Sequence, residues 1–191
     1  MKQIYLSITL CLVLVGQAQA QRCLPGQRGI QVTVGAVDGF NLKKGDKQAF
    51  CLGIAHSTYT KGGNRWVFGA EYLQKQHLYR DILIPVSQIT GEGGYYKQVL
   101  SDPSKTVAFS VGASAVAGYE TINWGKQLLF DGATIESKDN AIYGGAVSFE
   151  VETYITDRLV LLANVRERVL FGSSISKFHT QINVGVRIFI N

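Results

Sequence analysis

Proline is nearly missing from this 191-residue chain, which holds 3, and charge is thin, with Asp, Glu, Lys and Arg at 17% of residues. So few prolines exclude a Pro-rich linker or low-complexity segment. Low charge beside 46% hydrophobic residues excludes a disordered chain, because there is ample apolar surface to bury. No window carries a sustained apolar stripe at helical spacing, which excludes a helix bundle. The longest apolar run, Ile4 to Val15, spans twelve residues and falls short of the roughly 20 that a bilayer-crossing helix needs. Metal-ligand spacings, cofactor fingerprints and nucleotide loops are also missing. The glycine-rich GEGGYY, 91–96, sits inside a strand pattern with no helix after it, so it is not a phosphate loop. No cofactor, metal or small-molecule substrate is therefore expected.

The short apolar run has another use. Lys2 precedes it, and Ala18 and Ala20 follow in the spacing that a signal peptidase reads, so 1–20 is expected to be a signal peptide cut after Ala20. Cleavage removes Lys2 and Cys11. The mature chain keeps 18 basic against 14 acidic residues, a net charge of +4. Its basic residues are scattered or gathered in loops such as NLKKGDK, with Lys43, Lys44 and Lys47, and form no aromatic-interleaved stripe. Direct nucleic-acid binding is not expected; such loops read as solvated, with contact to anionic lipid headgroups as the functional alternative. Cys23 and Cys51 remain; in an oxidising envelope they form either a disulfide or two separate thiols, and their spacing does not choose.

What the chain has in abundance is alternation. In FHTQINVGVRIFIN, Phe178, Thr180, Ile182, Val184, Val186, Ile188 and Ile190 share one face, and His179, Gln181, Asn183, Gly185 and Arg187 the other, with Phe189 the exception. Eight such runs are expected, at 29–38, 48–60, 64–76, 87–100, 105–120, 141–155, 158–170 and 178–190. Turns after the second, fourth and sixth are short (TKGGN, SDPSK, ITDR). Connections after the first, third, fifth and seventh are longer, the longest running from Thr121 to Asn140. Even strand number, strands of about 10 residues and alternating loop lengths fit an all-β, eight-stranded antiparallel up-and-down barrel of the outer-membrane type. The expected organisation is a signal peptide at 1–20, a short periplasmic segment at 21–28 and one barrel domain at 29–191.

A soluble barrel of the lipocalin kind shows the same alternation with its apolar face inward. The polar face decides between them, because it mixes Gly35, Gly53, Ala55, Ser57, Gly94, Gly112, Ser114, Gly144 and Ser148 with a few large charges. Small residues beside long ones suit a crowded lumen, and eight strands leave a lumen just wide enough for side chains. Glu71, Glu92, Glu150, Glu152, Arg166, Arg168 and Arg187 are accordingly expected to form a lumen charge network, with Glu150 opposite Asn164 and diagonal to Arg166, and Arg187 free to serve Glu152. Tyr59, Trp66, Tyr72, Tyr95, Tyr119, Tyr143 and Tyr154, near strand ends, resemble an interfacial girdle.

One pair invites an enzymatic reading. His56 and Thr58 stand two residues apart, as do the His and Ser or Thr of some lipid-modifying eight-stranded barrels, but no acidic partner for His56 falls on its face, and a polar belt residue is the simpler reading.

The segments RCLPGQRGI (22–30), STYTKGGNRWVFGAEYL (57–73), SVGASAVAGYETINWGKQLLFDGATI (110–135), YGGAVSFEVETYITDRLVLLANVRERVLFGSS (143–174) and KFHTQINVGVRIFIN (177–191) resemble, in consistent order, the conjugative transposon protein TraO family of Bacteroidota. The resemblance implies a non-enzymatic envelope component of a DNA-transfer (mating) apparatus of the type IV secretion kind. Its partners would be other conjugative transfer envelope proteins and outer-membrane lipid. The family supplies no catalytic motif to place on this chain. The longest external segment is then the first candidate for partner contact, through Asn123, Trp124, Leu128, Phe130 and Asp131.

Overall fold

The computed structural model describes residues 22–37, 47–79, 82–126, 128–129, 132–134, 139–174 and 177–190. Residues 1–20 of the expected signal peptide, most of the NLKKGDK loop, and Phe130 and Asp131 lie outside them. Eight strands follow in order: β1 (Arg28–Val37), β2 (Lys47–Tyr59), β3 (Arg65–Tyr79), β4 (Ile82–Ser101), β5 (Val107–Ile122), β6 (Asn140–Tyr154), β7 (Leu159–Phe171) and β8 (Phe178–Phe189). Each pairs antiparallel with its sequence neighbour, and β1 pairs with β8, so the sheet closes into a barrel. Both ends of the described chain and the turns after β2, β4 and β6 lie at one end, called here the terminal end; the longer connections lie at the loop end.

The polarity of the barrel is inverted relative to a soluble one. Ile30, Val34, Ile54, Phe68, Phe149 and Val184 are exposed on the outer wall, while Gln31, Glu71, Glu150, Arg168 and Arg187 are buried inside. Each strand obeys the same rule because its side chains alternate between the two faces. An apolar wall that runs round the whole barrel far exceeds the patches a soluble monomer leaves in water.

Two expectations are corrected. The segment 77–86 was expected to be a long external loop, yet β3 and β4 continue pairing from Gln76↔Pro85 to Tyr79↔Ile82, so the hairpin projects beyond the barrel as a ribbon. ILIP has no period-two alternation, and it lies beyond the last β4–β5 pair, Val86↔Ile122. Pro85 is tolerated because β4 has no partner there on its other side: its pairing with β5 ends at Val86↔Ile122. The proposed aromatic girdle also loses two members. Tyr59 and Tyr154 are buried in the lumen, because each shares inward parity with Ser57 or Glu152. Phe189, the exception in the alternation of β8, lies with them inside: its ring stacks on Tyr154 at 6.1 Å and tilts against Tyr59 at 5.5 Å. Cys23 and Cys51 are both buried free thiols, and they sit at opposite ends of the barrel.

Lumen glycines are set by close approach. A Cβ on Gly144 would lie 1.9 Å from the Val169 carbonyl oxygen, and one on Gly112 would lie 2.6 Å from the Tyr96 ring that covers it. Gly91 faces outward, and a Cβ there would meet nothing nearer than 3.8 Å. Gly144→Ala should therefore destabilise the barrel by about 1–3 kcal/mol, and Gly91→Ala should stay within about 0.5 kcal/mol of wild type. Urea unfolding in detergent micelles, followed by heat-modifiable gel migration, measures both. Equal midpoints for the two variants would contradict this packing.

Candidate functional site

The buried charged residues among those described converge in the lumen, where two ion clusters are stacked along the axis. The cluster nearer the terminal end joins β3, β6 and β8. Arg65 binds Glu150 at 2.6 Å and Glu152 at 3.2 Å, and Arg187 binds Glu150 at 3.0 Å and also Glu152. Further hydrogen bonds extend the cluster: Arg65 Nη1 donates to Ser110 Oγ, Arg187 Nη2 to Gln31 Oε1 at 2.7 Å, and Arg187 Nη1 to the Tyr59 hydroxyl at 2.6 Å. The Tyr59 hydroxyl in turn donates to Glu152. Arg65 also packs over the Tyr96 ring at 4.8 Å, which suits a flat guanidinium.

The second cluster lies nearer the loop end and joins β3, β4 and β7. Arg166 binds Glu92 at 2.8 Å and Glu71 at 3.2 Å, while Arg168 binds Glu71 at 2.7 Å. Ser148 Oγ accepts from Arg166 Nε, Thr90 Oγ1 accepts from Arg168, and Gln181 donates to Glu71. Beside Arg166, Glu71 and Glu92 a cavity of about 30 Å³ leaves room for about one water.

All seven residues singled out in the sequence thus lie in the lumen, and Arg187 does pair with Glu152, while the other pairings differ from the expected ones. Glu150 does face Asn164 in the β6–β7 ladder, but its cations are Arg65 and Arg187. Arg166 turns across the lumen to Glu71 and Glu92. Local hairpin geometry cannot supply this, because closure of the barrel brings β3 and β8 to β6. Arg65 was missed altogether, although it shares inward parity with Val67, Gly69 and Glu71. Glu120 at the loop end was also missed; it accepts from Gln88 at 2.7 Å, Ser173 Oγ at 2.8 Å and the Ser174 N–H at 2.8 Å.

Apolar layers cover both clusters. Tyr59, Tyr154, Val160, Leu162 and Phe189 form the terminal layer, while Val116, Ile142, Ala146 and Leu170, with Val37, Cys51 and Leu73, form the loop-end layers. Residues 22–27 lie as a strap over the terminal layer. Gly26 N–H donates to the Tyr59 carbonyl at 2.9 Å, Arg22 Nη1 donates to Thr106 Oγ1 at 2.9 Å, and Cys23 Sγ lies 3.1 Å from the Tyr154 hydroxyl. Burial pushes the Cys23 thiol above its ordinary pKa.

The remaining candidates sit on the outside. His56 faces outward between Ile30 and Phe68, with Trp66 beside Thr58; no acid lies among these neighbours. At the loop end, Asn123 and Trp124 begin a short 3-10 turn with φ of 49° and 53°, a left-handed conformation uncommon for a bulky residue such as Trp. The turn is pinned by the Asn123 side chain, whose amide donates to the Lys126 carbonyl at 2.9 Å. Trp124 keeps 60% of its surface exposed and Leu128 72%. Asp139 anchors the base of this segment by accepting hydrogen bonds from the Thr121 hydroxyl, the Ile122 N–H and the Tyr119 hydroxyl, and these hold its carboxyl below the usual range.

Residues 24–190 match a family model described as Conjugative transposon protein TraO. No curated protein matches the sequence. Among solved structures, Neisserial surface protein A is 13% identical, with a TM-score of 0.55 over 84% of this chain and 96% of that one. Ail, the attachment invasion locus protein of Yersinia pestis, is 13% identical, with a TM-score of 0.47 over 87% of this chain and 99% of that one. The outer membrane protein OprG from Pseudomonas aeruginosa is 13% identical, with a TM-score of 0.48 over 90% and 95%. The first of these likenesses shows the fold, an outer-membrane-type barrel, and nothing beyond it.

Arg187→Ala should cost about 3–5 kcal/mol, because it leaves Glu150 and Glu152 to share Arg65 alone in a buried setting. Adding Glu152→Gln should recover part of that loss. Urea midpoints in micelles read both effects, and an Arg187→Ala barrel as stable as wild type would contradict the network's role.

Proposed function

Because the chain belongs to the conjugative transposon protein TraO family, we propose that it serves as a non-enzymatic outer-membrane component of the DNA-transfer apparatus, a docking or scaffold barrel. The family match over nearly the whole chain carries this reading. Its support in the fold is the combination of an apolar outer wall with a lumen filled by ion pairs and capped at both ends. A wall of that kind belongs in lipid, and export through a signal peptide cut after Ala20 takes the chain there. A filled lumen leaves no room for DNA or a substrate. Action is then left to the surfaces, and the segment that presents Trp124 and Leu128 is the partner-facing one. An exposed Trp held in a strained turn is the kind of anchor that dominates protein interfaces. Its partners are other envelope proteins of the transfer machine. The lipid-enzyme reading of His56 gains no support, since an apolar neighbourhood without an acid cannot orient or activate the imidazole.

Deleting the gene in frame should abolish or sharply reduce mating. Trp124→Ala with Leu128→Ser should lower mating about tenfold or more while the barrel still folds, and His56→Ala should leave it unchanged. Wild-type mating from the deletion strain would sink the proposal, and loss of mating in His56→Ala alone would favour the enzyme.

A further inference from the structure

The outer wall carries a groove with a charged rim. A recess of about 700 Å³ with an almost wholly apolar lining crosses the outer face of β7, β8 and β1, and its volume falls within the roughly 300–1,000 Å³ of small-molecule sites. Its floor is built mostly from short side chains. Val34, Val184 and Ala163 stand side by side in the ladders, and Val32, Val186 and Leu161 form the next row toward the terminal end. Phe149 and Ile182 rise on the loop side, and Ile188 on the terminal side. Two exposed arginines lie beyond that terminal side. The Arg28 carbonyl accepts from the Ile190 N–H at 3.0 Å and the Arg158 carbonyl from the Phe189 N–H at 2.9 Å, so the pair brackets the end of β8, about 10 Å apart at two strand spacings. The neighbouring acid, Asp157, is engaged by Arg22 at 3.5 Å.

We propose that this groove and the two arginines form a binding site for one phospholipid, with its phosphate between Arg28 and Arg158 and an acyl chain in the groove. The inference rests on the reading of the barrel as membrane-spanning. Both guanidinium groups stay charged at physiological pH, and their forked donors match phosphate oxygens. Depth agrees with this occupant. Arg28 to Val32 and Val34, and Arg158 to Leu161 and Ala163, are three to six residues along the strands, about 8–15 Å along the axis at roughly 3.3 Å per residue and a tilt near 40°. One leaflet's acyl chains reach about 15 Å, half of a roughly 30 Å hydrocarbon core. A chain anchored at the arginines therefore ends in the groove. A second copy suits the site less well, because a twofold pair joined on this wall inserts in one direction and sets Arg28 and Arg158 beside the same cations of its partner. A phosphate instead brings negative charge to the place where two cations flank one strand.

Native mass spectrometry of the detergent-solubilised barrel, titrated with phosphatidylglycerol, reads the site directly. The wild-type protein should hold one lipid tightly. Arg28→Gln with Arg158→Gln should weaken that binding about tenfold or more, and Ala163→Phe, which fills the groove floor, should do so too. Lys97→Gln removes an exposed cation from the terminal end of β4, across the barrel, and should leave the affinity unchanged. Heat-modifiable migration checks that each variant is folded. Absence of bound lipid from folded, membrane-derived barrel would overturn the inference and leave the membrane reading standing. Binding indifferent to the arginine pair or to Ala163→Phe would overturn it, as would an equal loss in Lys97→Gln, which marks general attraction to anionic lipid. A mass of two copies, or of a second protein, in place of bound lipid would overturn it as well. Recovery of the protein in the soluble fraction would instead defeat the membrane reading on which it rests.

Discussion

Everything in this barrel answers to the need to neutralise charge in a closed interior. Arg65, Arg166, Arg168 and Arg187 face Glu71, Glu92, Glu150 and Glu152 inside the lumen, and the ion pairs link them into two clusters. Each guanidinium withdrawn from water costs several kcal/mol unless carboxylates and further acceptors meet it. The lumen meets that demand with Ser110, Gln31, Thr90, Ser148 and the Tyr59 hydroxyl. Because contributors come from β3, β4, β6, β7 and β8, the network also reads register. A one-residue slip of β7 would turn Arg166 and Arg168 out into the apolar wall and Val165 and Val169 inward.

That constraint shapes what the protein can do. An interior occupied by paired ions and sealed by aromatic and aliphatic layers is a rigid pillar. The strap at 22–27 closes the terminal end further. What the pillar displays is the projecting β3–β4 ribbon and the Asn123–Lys126 turn with its exposed Trp124.

Much of this was legible in the residues. Period-two alternation located all eight strands within a few residues, and parity placed Glu150, Glu152, Arg166, Arg168 and Arg187 on one face. The β6–β7 register, Glu150 opposite Asn164, followed from the three-residue turn Thr156–Arg158. Contacts made by closure were beyond reach, since Arg65 and Glu150 are 85 residues apart and meet only once the cylinder exists. Tyr59 and Tyr154 were misread because residue type, which suggests a girdle, was weighed above parity, which puts them inside. The continued β3–β4 pairing at 76–79 and 82–85 escaped because ILIP carries no alternation to announce a strand.

The central claim is that paired charges close the lumen. Single-channel recording of the refolded protein in planar lipid bilayers tests it most directly. A silent bilayer containing folded, heat-modifiable barrel is the predicted result. Stable, stepwise conductance carried by the wild-type protein would contradict the account.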